Sequence, residues 1–181
     1  MSHTPTNSPP KVIWITGLSG AGKSTIAQGL AKTLSSGTNS VHILDGDELR
    51  TTICKDLGFS EADRKENVRR ASEAAKKFIN KGYTVIAALI SPYSEDRQKV
   101  REMFEKGQFI EVYIDTPIEV CMQRDPKGLY AKAMNGDIKN FTGIDSPYQE
   151  PSNPEIRITT QSNSPDQSIG IIIDYLKLNV I

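Results

Sequence analysis

Short apolar runs alternate along the chain with longer segments whose apolar residues recur at helical spacing. A nearly continuous apolar run is typical of a strand that is buried on both faces of a parallel sheet. Five such runs cover residues 12–16, 41–44, 83–90, 109–114 and 155–160. The pattern therefore predicts five strands separated by helices.

Capping sequences mark three of the predicted helix starts. Ser60, Thr116 and Ser164 each stand three residues before an acidic or amide side chain, which is the spacing of a capping box. A further helix is predicted over residues 26–34, where apolar residues again repeat at helical spacing. Strands that alternate with helices predict an α/β fold of three layers, with a five-stranded, mostly parallel sheet and helices on both faces.

Two segments depart from this alternation. Residues 125–154 are rich in Lys, Gly, Asn and Pro and show little periodicity, so we expect them to be either functional or disordered. Residues 1–10 are polar and proline-rich, which predicts a disordered tail before a single domain at 11–181. The tail resembles neither a secretory signal nor a transit peptide, so we expect a cytoplasmic protein, although a protein trimmed after import would look the same.

The strongest chemical signal is a complete Walker A motif between the first strand and the helix that follows it. Glycines in this motif let successive backbone N–H groups converge on phosphate oxygens at a helix N-terminus. Its lysine is expected to reach the β- and γ-phosphates of ATP, and its serine hydroxyl to coordinate Mg²⁺. The predicted ATP-binding residues are Gly17, Leu18, Ser19, Gly20, Ala21, Gly22, Lys23, Ser24 and Thr25.

The sequence favours a metabolite kinase over other classes of P-loop protein. It contains no Asn-Lys-x-Asp run, which a switch GTPase would use to bind guanine, and the third strand does not end in a Walker B aspartate. The second strand instead ends in Asp45-Gly46-Asp47. We expect Asp45 to hold Mg²⁺ through water and Asp47 to orient, or take the proton from, an acceptor hydroxyl.

Several basic residues follow this acidic turn. Arg64 and Asn67 lie one helical turn apart near a predicted helix N-terminus, where together they could bind an anionic acceptor.

The composition of the chain excludes some other classes of partner. Lys plus Arg and Asp plus Glu are equal at 22 each, so no basic field indicates a nucleic-acid partner. No apolar stretch reaches the ~18 residues that a membrane-spanning helix needs. Cys54 and Cys121 are expected to be reduced structural thiols, with a regulatory disulfide as the alternative.

Six sequence runs, taken together and in order, resemble the adenylylsulfate (APS) kinase family. They are GLSGAGKS, DGDELR, LGFSEADRKENVRR, ISPYSEDR, RDPKGLY and KNFTGIDSPY. The resemblance implies transfer of the γ-phosphoryl group of MgATP to the 3′-hydroxyl of adenosine 5′-phosphosulfate. The products would be 3′-phosphoadenosine 5′-phosphosulfate (PAPS) and ADP. It also implies that residues 125–154 form a lid and that the protein is a homodimer.

The resemblance further assigns roles to individual residues. Phe59 and Phe141 would sandwich the adenine of APS, and a purine face does stack well on aromatic rings. Arg124 and Asp125 would lie near the base of ATP. Ser91 matches a possible phosphoserine intermediate, but a backbone or hydroxyl contact to substrate is at least as good a reading. The implied APS-binding residues are Asp45, Asp47, Arg50, Phe59, Arg64, Asn67, Ile90, Ser91, Lys127, Phe141 and Thr142.

One position departs from the family pattern, because Glu48 stands where the family usually has Asn. A carboxylate facing a phosphosulfate would repel it, so we expect the Glu48 side chain to point away from the substrate. The alternatives are a kinase for gluconate or shikimate, a switch GTPase, and a PAPS-binding protein without turnover. Sugar or cyclic-acid acceptors would not require the Phe59/Phe141 pair.

Overall fold

A computed structural model describes residues 9–36 and 40–179, and its centre is a five-stranded sheet. The strands are β1 (Val12–Thr16), β2 (Val41–Asp45), β3 (Thr84–Ala88), β4 (Phe109–Asp115) and β5 (Ile156–Thr159). Their order across the sheet is β2-β3-β1-β4-β5, and all four strand pairings are parallel. All five predicted strands are therefore confirmed. The predicted tail lies largely outside the described residues.

Seven helices are present in the described part of the chain. They are α1 (Lys23–Ser35), α2 (Gly46–Thr51), α3 (Glu61–Ile79), α4 (Ser94–Glu102), α5 (Ile118–Arg124), α6 (Leu129–Met134) and α7 (Pro165–Leu178). The four predicted helices correspond to α1, α3, α5 and α7. The short helices α2, α4 and α6 were not predicted, since six to nine residues give too few turns for a clear periodicity.

The alternation of side chains along β1 divides the core into two layers. Ile13 and Ile15 belong to a cluster with α1 and α7, whereas Val12 and Trp14 belong to a second cluster with α3 and α4. Successive side chains of a strand point to opposite faces, so the clusters lie on opposite sides of the sheet. The predicted arrangement of a sheet with helices on both faces is confirmed.

Two of the three predicted helix caps are present. Ser60 and Ser164 each form a full capping box at the starts of α3 and α7. The box predicted at Thr116 is absent, because α5 begins one residue later, after Pro117, without a side-chain cap. The Thr116 hydroxyl instead makes a hydrogen bond with Thr160 and a second with the Ala21 carbonyl.

The third strand is shorter than its apolar run predicts. Residues 83–90 were expected to be extended, but β3 ends at Ala88, and Ser91 has a φ of 40°. The chain therefore turns at the carboxyl end of the sheet, next to the ends of β1 and β2. No helix among residues 9–36 and 40–179 combines the length and apolar character needed to cross a bilayer.

Candidate active site

A cavity of about 710 Å³ opens at the carboxyl ends of the parallel strands. This is the edge at which open α/β sheets bind their ligands. It brings together residues 19–25 of the phosphate loop, the acidic turn after β2, the turn after β3 and part of residues 125–154. The predicted site residues that line it are Ser19, Gly20, Ala21, Gly22, Lys23, Ser24, Thr25, Asp45, Asp47, Arg50, Phe59, Arg64, Asn67, Ile90, Ser91, Arg124, Lys127, Phe141 and Thr142.

Backbone contacts on its outer side hold the phosphate loop. A Cβ atom added to Gly17 would lie 2.7 Å from the Ile114 carbonyl oxygen, and one added to Gly20 would lie 3.1 Å from the Cys121 carbonyl oxygen. Both glycines have positive φ, at 151° and 75°. These two positions therefore require glycine for space as well as for conformation.

Lys23 extends its ammonium group along the inside of the loop. Its Nζ donates hydrogen bonds to the carbonyl oxygens of Gly17 at 2.9 Å and Leu18 at 2.7 Å. Burial disfavours the charged form and lowers the pKa of Lys23 to about 8, against the opposing influence of Cys121 and the Asp45 carboxylate. The negative charge of a bound phosphate would therefore stabilise the charged form of the Lys23 amine.

The acidic turn after β2 contacts both the phosphate loop and the lid segment. Ser24 Oγ donates a 2.6 Å hydrogen bond to Asp45 Oδ2, and Asp45 Oδ1 accepts one from the Asp47 backbone N–H at 2.9 Å. The Asp47 carboxylate forms an ion pair with Lys127. Asp45 thus faces the loop that binds phosphates, whereas Asp47 faces the opposite side of the cavity.

Aromatic and basic side chains form the far wall of the cavity. The Arg50 guanidinium lies 4.3 Å from the centre of the Phe59 ring, and that of Arg64 lies 5.7 Å from it. Phe59 is 49% exposed, which is unusual for a phenylalanine with only a structural role. Two buried polar atoms on this wall, Asn67 Nδ2 and Thr142 Oγ1, have no hydrogen-bond partner in the described structure. Buried polar atoms without partners mark a place for a polar ligand.

Tyr130 is a contact that the sequence did not reveal. Its hydroxyl donates to the Ser19 carbonyl at 2.9 Å, and its ring meets Phe141 edge to face at a centroid distance of 4.9 Å. Tyr130 thereby joins residues 125–154 to the phosphate loop and packs, within the same segment, against the predicted adenine-binding ring. A buried tyrosine in an aperiodic segment carries no signal that could have indicated this contact.

Three predicted ATP contacts lie outside the cavity wall: Gly17, Leu18 and Asp125. The Asp125 carboxylate accepts hydrogen bonds from the backbone N–H groups of Tyr130 at 3.1 Å and Ala131 at 3.0 Å, so it caps α6. Arg124, by contrast, lies within 3.5 Å of Thr160 Oγ1 and 3.4 Å of the Gly20 carbonyl. The cavity continues past Arg124 to Thr160 and Asn163, which sequence reasoning did not select.

Ser91 lies on the wall of the cavity, but its side chain belongs to a hydrogen-bond chain. Its Oγ accepts from the Trp14 indole N–H at 3.1 Å and donates to Thr16 Oγ1 at 3.0 Å. Thr16 in turn donates to the Ile90 carbonyl at 2.7 Å and accepts from Tyr148 at 2.9 Å. Each hydroxyl group in this series of hydrogen bonds therefore donates its proton to another atom of the protein. Ser91 is only 2% exposed, so its hydroxyl is poorly placed for covalent chemistry.

Glu48 is exposed and does not line the cavity. Its negative charge raises the pKa of His42, whereas burial of His42 has the larger effect and lowers that pKa. The Glu48 side chain therefore points away from the site, as expected.

Cys54 and Cys121 are both free and buried in different core clusters, on opposite sides of the sheet. A disulfide between them is incompatible with this fold.

Comparison with known proteins agrees with this geometry. Residues 9–159 match the family model for adenylylsulphate kinase. The adenylyl-sulfate kinase of Marinobacter nauticus is 51% identical over 171 residues, which cover 94% of this chain and 86% of the relative. The Mycobacterium tuberculosis APS kinase CysC, solved in complex with AMPPNP and APS, has a TM-score of 0.89 at 46% identity, with 94% and 99% of the two chains covered. A hexameric APS kinase from Thiobacillus denitrificans has a TM-score of 0.72 at 31% identity, with 97% of this chain and 30% of that chain covered.

The lowered pKa of Lys23 predicts that ATP binding takes up a proton at mildly alkaline pH. Above pH 8 much of the free protein carries a neutral Lys23 amine, and bound phosphates would favour its charged form. The ATP phosphates do not contribute, since their last pKa is about 6. ATP affinity should therefore fall as pH rises from 8 toward 10. Calorimetry at pH 8.5 in two buffers of different ionisation enthalpy measures the uptake.

The matched control is Lys127→Met, which removes another lysine of the cavity wall. It should leave most of the proton uptake intact, because burial of Lys23 is the largest cause of its lowered pKa and the charge of Lys127 is a lesser one. Binding without proton uptake at pH 8.5 would contradict the assignment to Lys23.

Proposed function

The chain belongs to the adenylylsulphate kinase family, and we propose that it transfers the γ-phosphoryl group of ATP to the 3′-hydroxyl of adenosine 5′-phosphosulfate. The products are PAPS and ADP. One observation carries this proposal: a single cavity joins a phosphate loop to a wall that combines exposed Phe59, two arginines and two unpartnered polar atoms. Such a wall suits an aromatic, anionic acceptor better than a sugar.

ATP occupies the half of the cavity that contains the phosphate loop. Backbone N–H groups of residues 19–24 and the N-terminus of α1 bind its phosphates. Lys23 exchanges its two carbonyl hydrogen bonds for contacts with the β- and γ-phosphates. The base of ATP lies beyond Arg124, toward Thr160 and Asn163, because the cavity extends from the loop in that direction.

APS occupies the other half. Its adenine stacks between Phe59 and Phe141, which both line the cavity. Arg50 and Arg64 hold the phosphosulfate, since guanidinium groups bind such anions through paired hydrogen bonds. Asn67 Nδ2 and Thr142 Oγ1 gain in the substrate the partners that they lack within the protein. Ile90 and Ser91 contact the substrate through their backbone.

Magnesium fits the residues at the phosphate loop. Ser24 and Asp45 offer hard oxygen donors within 2.6 Å of each other. Among the described residues, no cluster of three or more His, Cys, Asp or Glu side chains could hold a metal ion by itself. That agrees with an ion held by one or two protein oxygens together with substrate phosphates. Bound there, Mg²⁺ would neutralise charge on the β- and γ-phosphates.

Asp47 orients the acceptor 3′-hydroxyl and accepts its proton as the oxygen attacks the γ-phosphorus. Lys127, paired with Asp47, lies next to the path of the transferred group and offsets its developing charge. Residues 125–154 act as a lid that excludes water and so prevents ATP hydrolysis. Direct in-line transfer between two positioned substrates needs no covalent enzyme intermediate.

A homodimer in the cytoplasm completes the proposal. Both features come from the family resemblance and from the sequence, and the cavity itself is built from one copy of the chain. The hexameric Thiobacillus denitrificans protein leaves a larger assembly as the alternative.

The substrate assignment is tested by measuring ADP release with APS, gluconate or shikimate as acceptor, with ATP or GTP as donor. The proposal predicts APS-dependent ADP release with ATP and stoichiometric PAPS. Turnover on gluconate or shikimate but not on APS would overturn it. GTP preference without acceptor dependence would indicate a switch GTPase, and nucleotide binding without turnover would indicate a PAPS-binding protein.

The role of Asp47 is tested by Asp47→Asn, with Glu48→Gln as the matched control. Both changes replace a carboxylate with an amide in α2, but only Asp47 lines the cavity. Loss of a general base should lower kcat by about 100- to 10,000-fold for Asp47→Asn. Glu48→Gln should leave kcat and the KM for APS near their wild-type values. Equal effects of the two changes would refute the assignment of the base.

The phosphoserine role of Ser91 is tested by Ser91→Ala together with γ-³²P-labelled ATP. Because Ser91 Oγ is already bonded to Trp14 and Thr16, we expect no label on the protein. The variant leaves the buried Trp14 N–H unpaired, which should cost about 1–3 kcal/mol of stability. Its kcat should fall by no more than about tenfold, the size expected for a lost hydrogen bond. Labelled Ser91 in the wild type, with no turnover in the variant, would contradict this.

A further inference from the structure

Arg97 is a buried cation that the proposed reaction does not use. It lies in α4, its side chain is 3% exposed, and its guanidinium contacts three separate segments of the chain. Nε donates to Glu111 Oε1 on β4 at 2.9 Å, Nη1 donates to the Ser91 carbonyl at 2.7 Å, and Nη2 donates to the Gln149 carbonyl at 2.6 Å. Three of the five N–H groups of this guanidinium are thus bonded to other segments of the protein.

Charge neutralisation alone does not account for these contacts. Glu111 is itself buried and accepts from Arg97 as well as from Arg101, so this carboxylate already has a second cation beside it. Arg101 also pairs with Glu155. Two arginines and two glutamates therefore balance without any contribution from Ser91 or Gln149. The two carbonyl contacts are additional. Ser91 lines the cavity, and Gln149 is bonded to Pro92, which also lines it.

The backbone at Ser91 needs external support. Its φ of 40° is disfavoured for any residue with a Cβ atom, and the following Pro92 restricts Ser91 further toward extended conformations. Such a conformation persists only when its surroundings hold it. The charge-assisted hydrogen bond from Arg97 to the Ser91 carbonyl acts on this residue directly.

The same turn is joined to the end of the lid segment. The Gln149 backbone N–H donates to the Pro92 carbonyl at 2.8 Å, and Gln149 Oε1 accepts from the Ser94 backbone N–H at 2.9 Å. The Ser94 hydroxyl also donates to Gln149 Oε1 at 2.9 Å, so with the Arg97 contact Gln149 is held to the β3–α4 turn and the start of α4 by four hydrogen bonds. The turn after β3 and the returning end of residues 125–154 therefore form one joint, with Arg97 beneath it.

We propose that Arg97 is a positioning residue for the acceptor substrate. By holding the carbonyls of Ser91 and Gln149, it sets the Ile90–Ser91 backbone and the lid end in the geometry that binds APS. This inference rests on the proposed function, because it takes the Ile90–Ser91 turn as part of the APS site. Arg97 itself touches neither substrate, since it does not line the cavity. Its effect should therefore fall on APS and not on ATP.

The test compares Arg97→Lys with Arg101→Lys. Both keep the positive charge and both weaken pairing with Glu111, but only Arg97 contacts Ser91 and Gln149. Arg97→Lys should raise the KM for APS by about tenfold or more, the effect of losing charge-assisted hydrogen bonds. Its KM for ATP should stay within about twofold, well below the loss of one hydrogen bond. Arg101→Lys should lower the melting temperature and leave the KM for APS unchanged.

Equal values of the KM for APS in the two variants would overturn the inference, as would a parallel rise in the KM for ATP in Arg97→Lys. If Arg97→Lys does not fold, Gln149→Leu provides the second test. It releases Ser94 from the lid end and leaves the buried ion cluster intact. The Arg97 bond to the Gln149 backbone carbonyl remains in this variant, which therefore tests whether the joint itself positions APS. A raised KM for APS at wild-type melting temperature is then expected, and an unchanged KM would refute the positioning of APS through the lid end. Absence of APS turnover in the wild type would refute the proposed function instead.

Discussion

The phosphate loop is positioned by close approaches of two of its glycines to neighbouring backbone. A Cβ atom at Gly17 would collide with the Ile114 carbonyl oxygen of β4, and one at Gly20 would crowd the Cys121 carbonyl oxygen of α5. Lys23 then ties the loop from inside through the Gly17 and Leu18 carbonyls. Backbone N–H groups held in this way can bind phosphates without prior rearrangement, which is the condition for electrostatic catalysis.

The rest of the site is arranged around this loop through the lid segment. Tyr130 joins residues 125–154 to the loop at Ser19, and Lys127 joins them to Asp47. At the other end, Gln149 joins them to the turn after β3. Residues 125–154 are therefore bonded to the phosphate loop, to the acidic turn after β2 and to the turn after β3. In a transfer between two nucleotides, that arrangement places donor and acceptor relative to one another.

Burial gives the polar groups of the site their different properties. Lys23 is buried, and its pKa is lowered, so its charge depends on an anionic ligand. Asn67 and Thr142 retain buried atoms without partners, whereas Ser91 has all its hydrogen bonds satisfied by the protein. In the proposed function the first two bind substrate, whereas the hydrogen bonds of the Ser91 hydroxyl are made within the protein. Residues that line one cavity thus have distinct physical roles.

The sequence by itself determined the sheet, four of the seven described helices and the location of the phosphate loop. These follow from local rules, since apolar periodicity and glycine spacing act over a few residues, as in the strand at residues 12–16 and the glycines that follow it. Capping at Ser60 and Ser164 was predictable for the same reason, whereas Thr116 failed because its hydroxyl found partners distant in the chain. The expectation that Phe59 and Phe141 sandwich an adenine came from a family resemblance, not from periodicity.

Only the tertiary structure decided which side chains serve the site and which support it. Asp125 caps a helix, Ser91 closes a hydrogen-bond chain, and Cys54 and Cys121 lie on opposite sides of the sheet. Tyr130, Thr160 and Arg97 gained roles that their local sequence does not indicate. The contacts of Ser91, of Tyr130 and of Arg97 with Gln149 join residues far apart in the chain. The packing of the helices on the sheet determines their partners, and a local sequence pattern does not specify such long-range contacts.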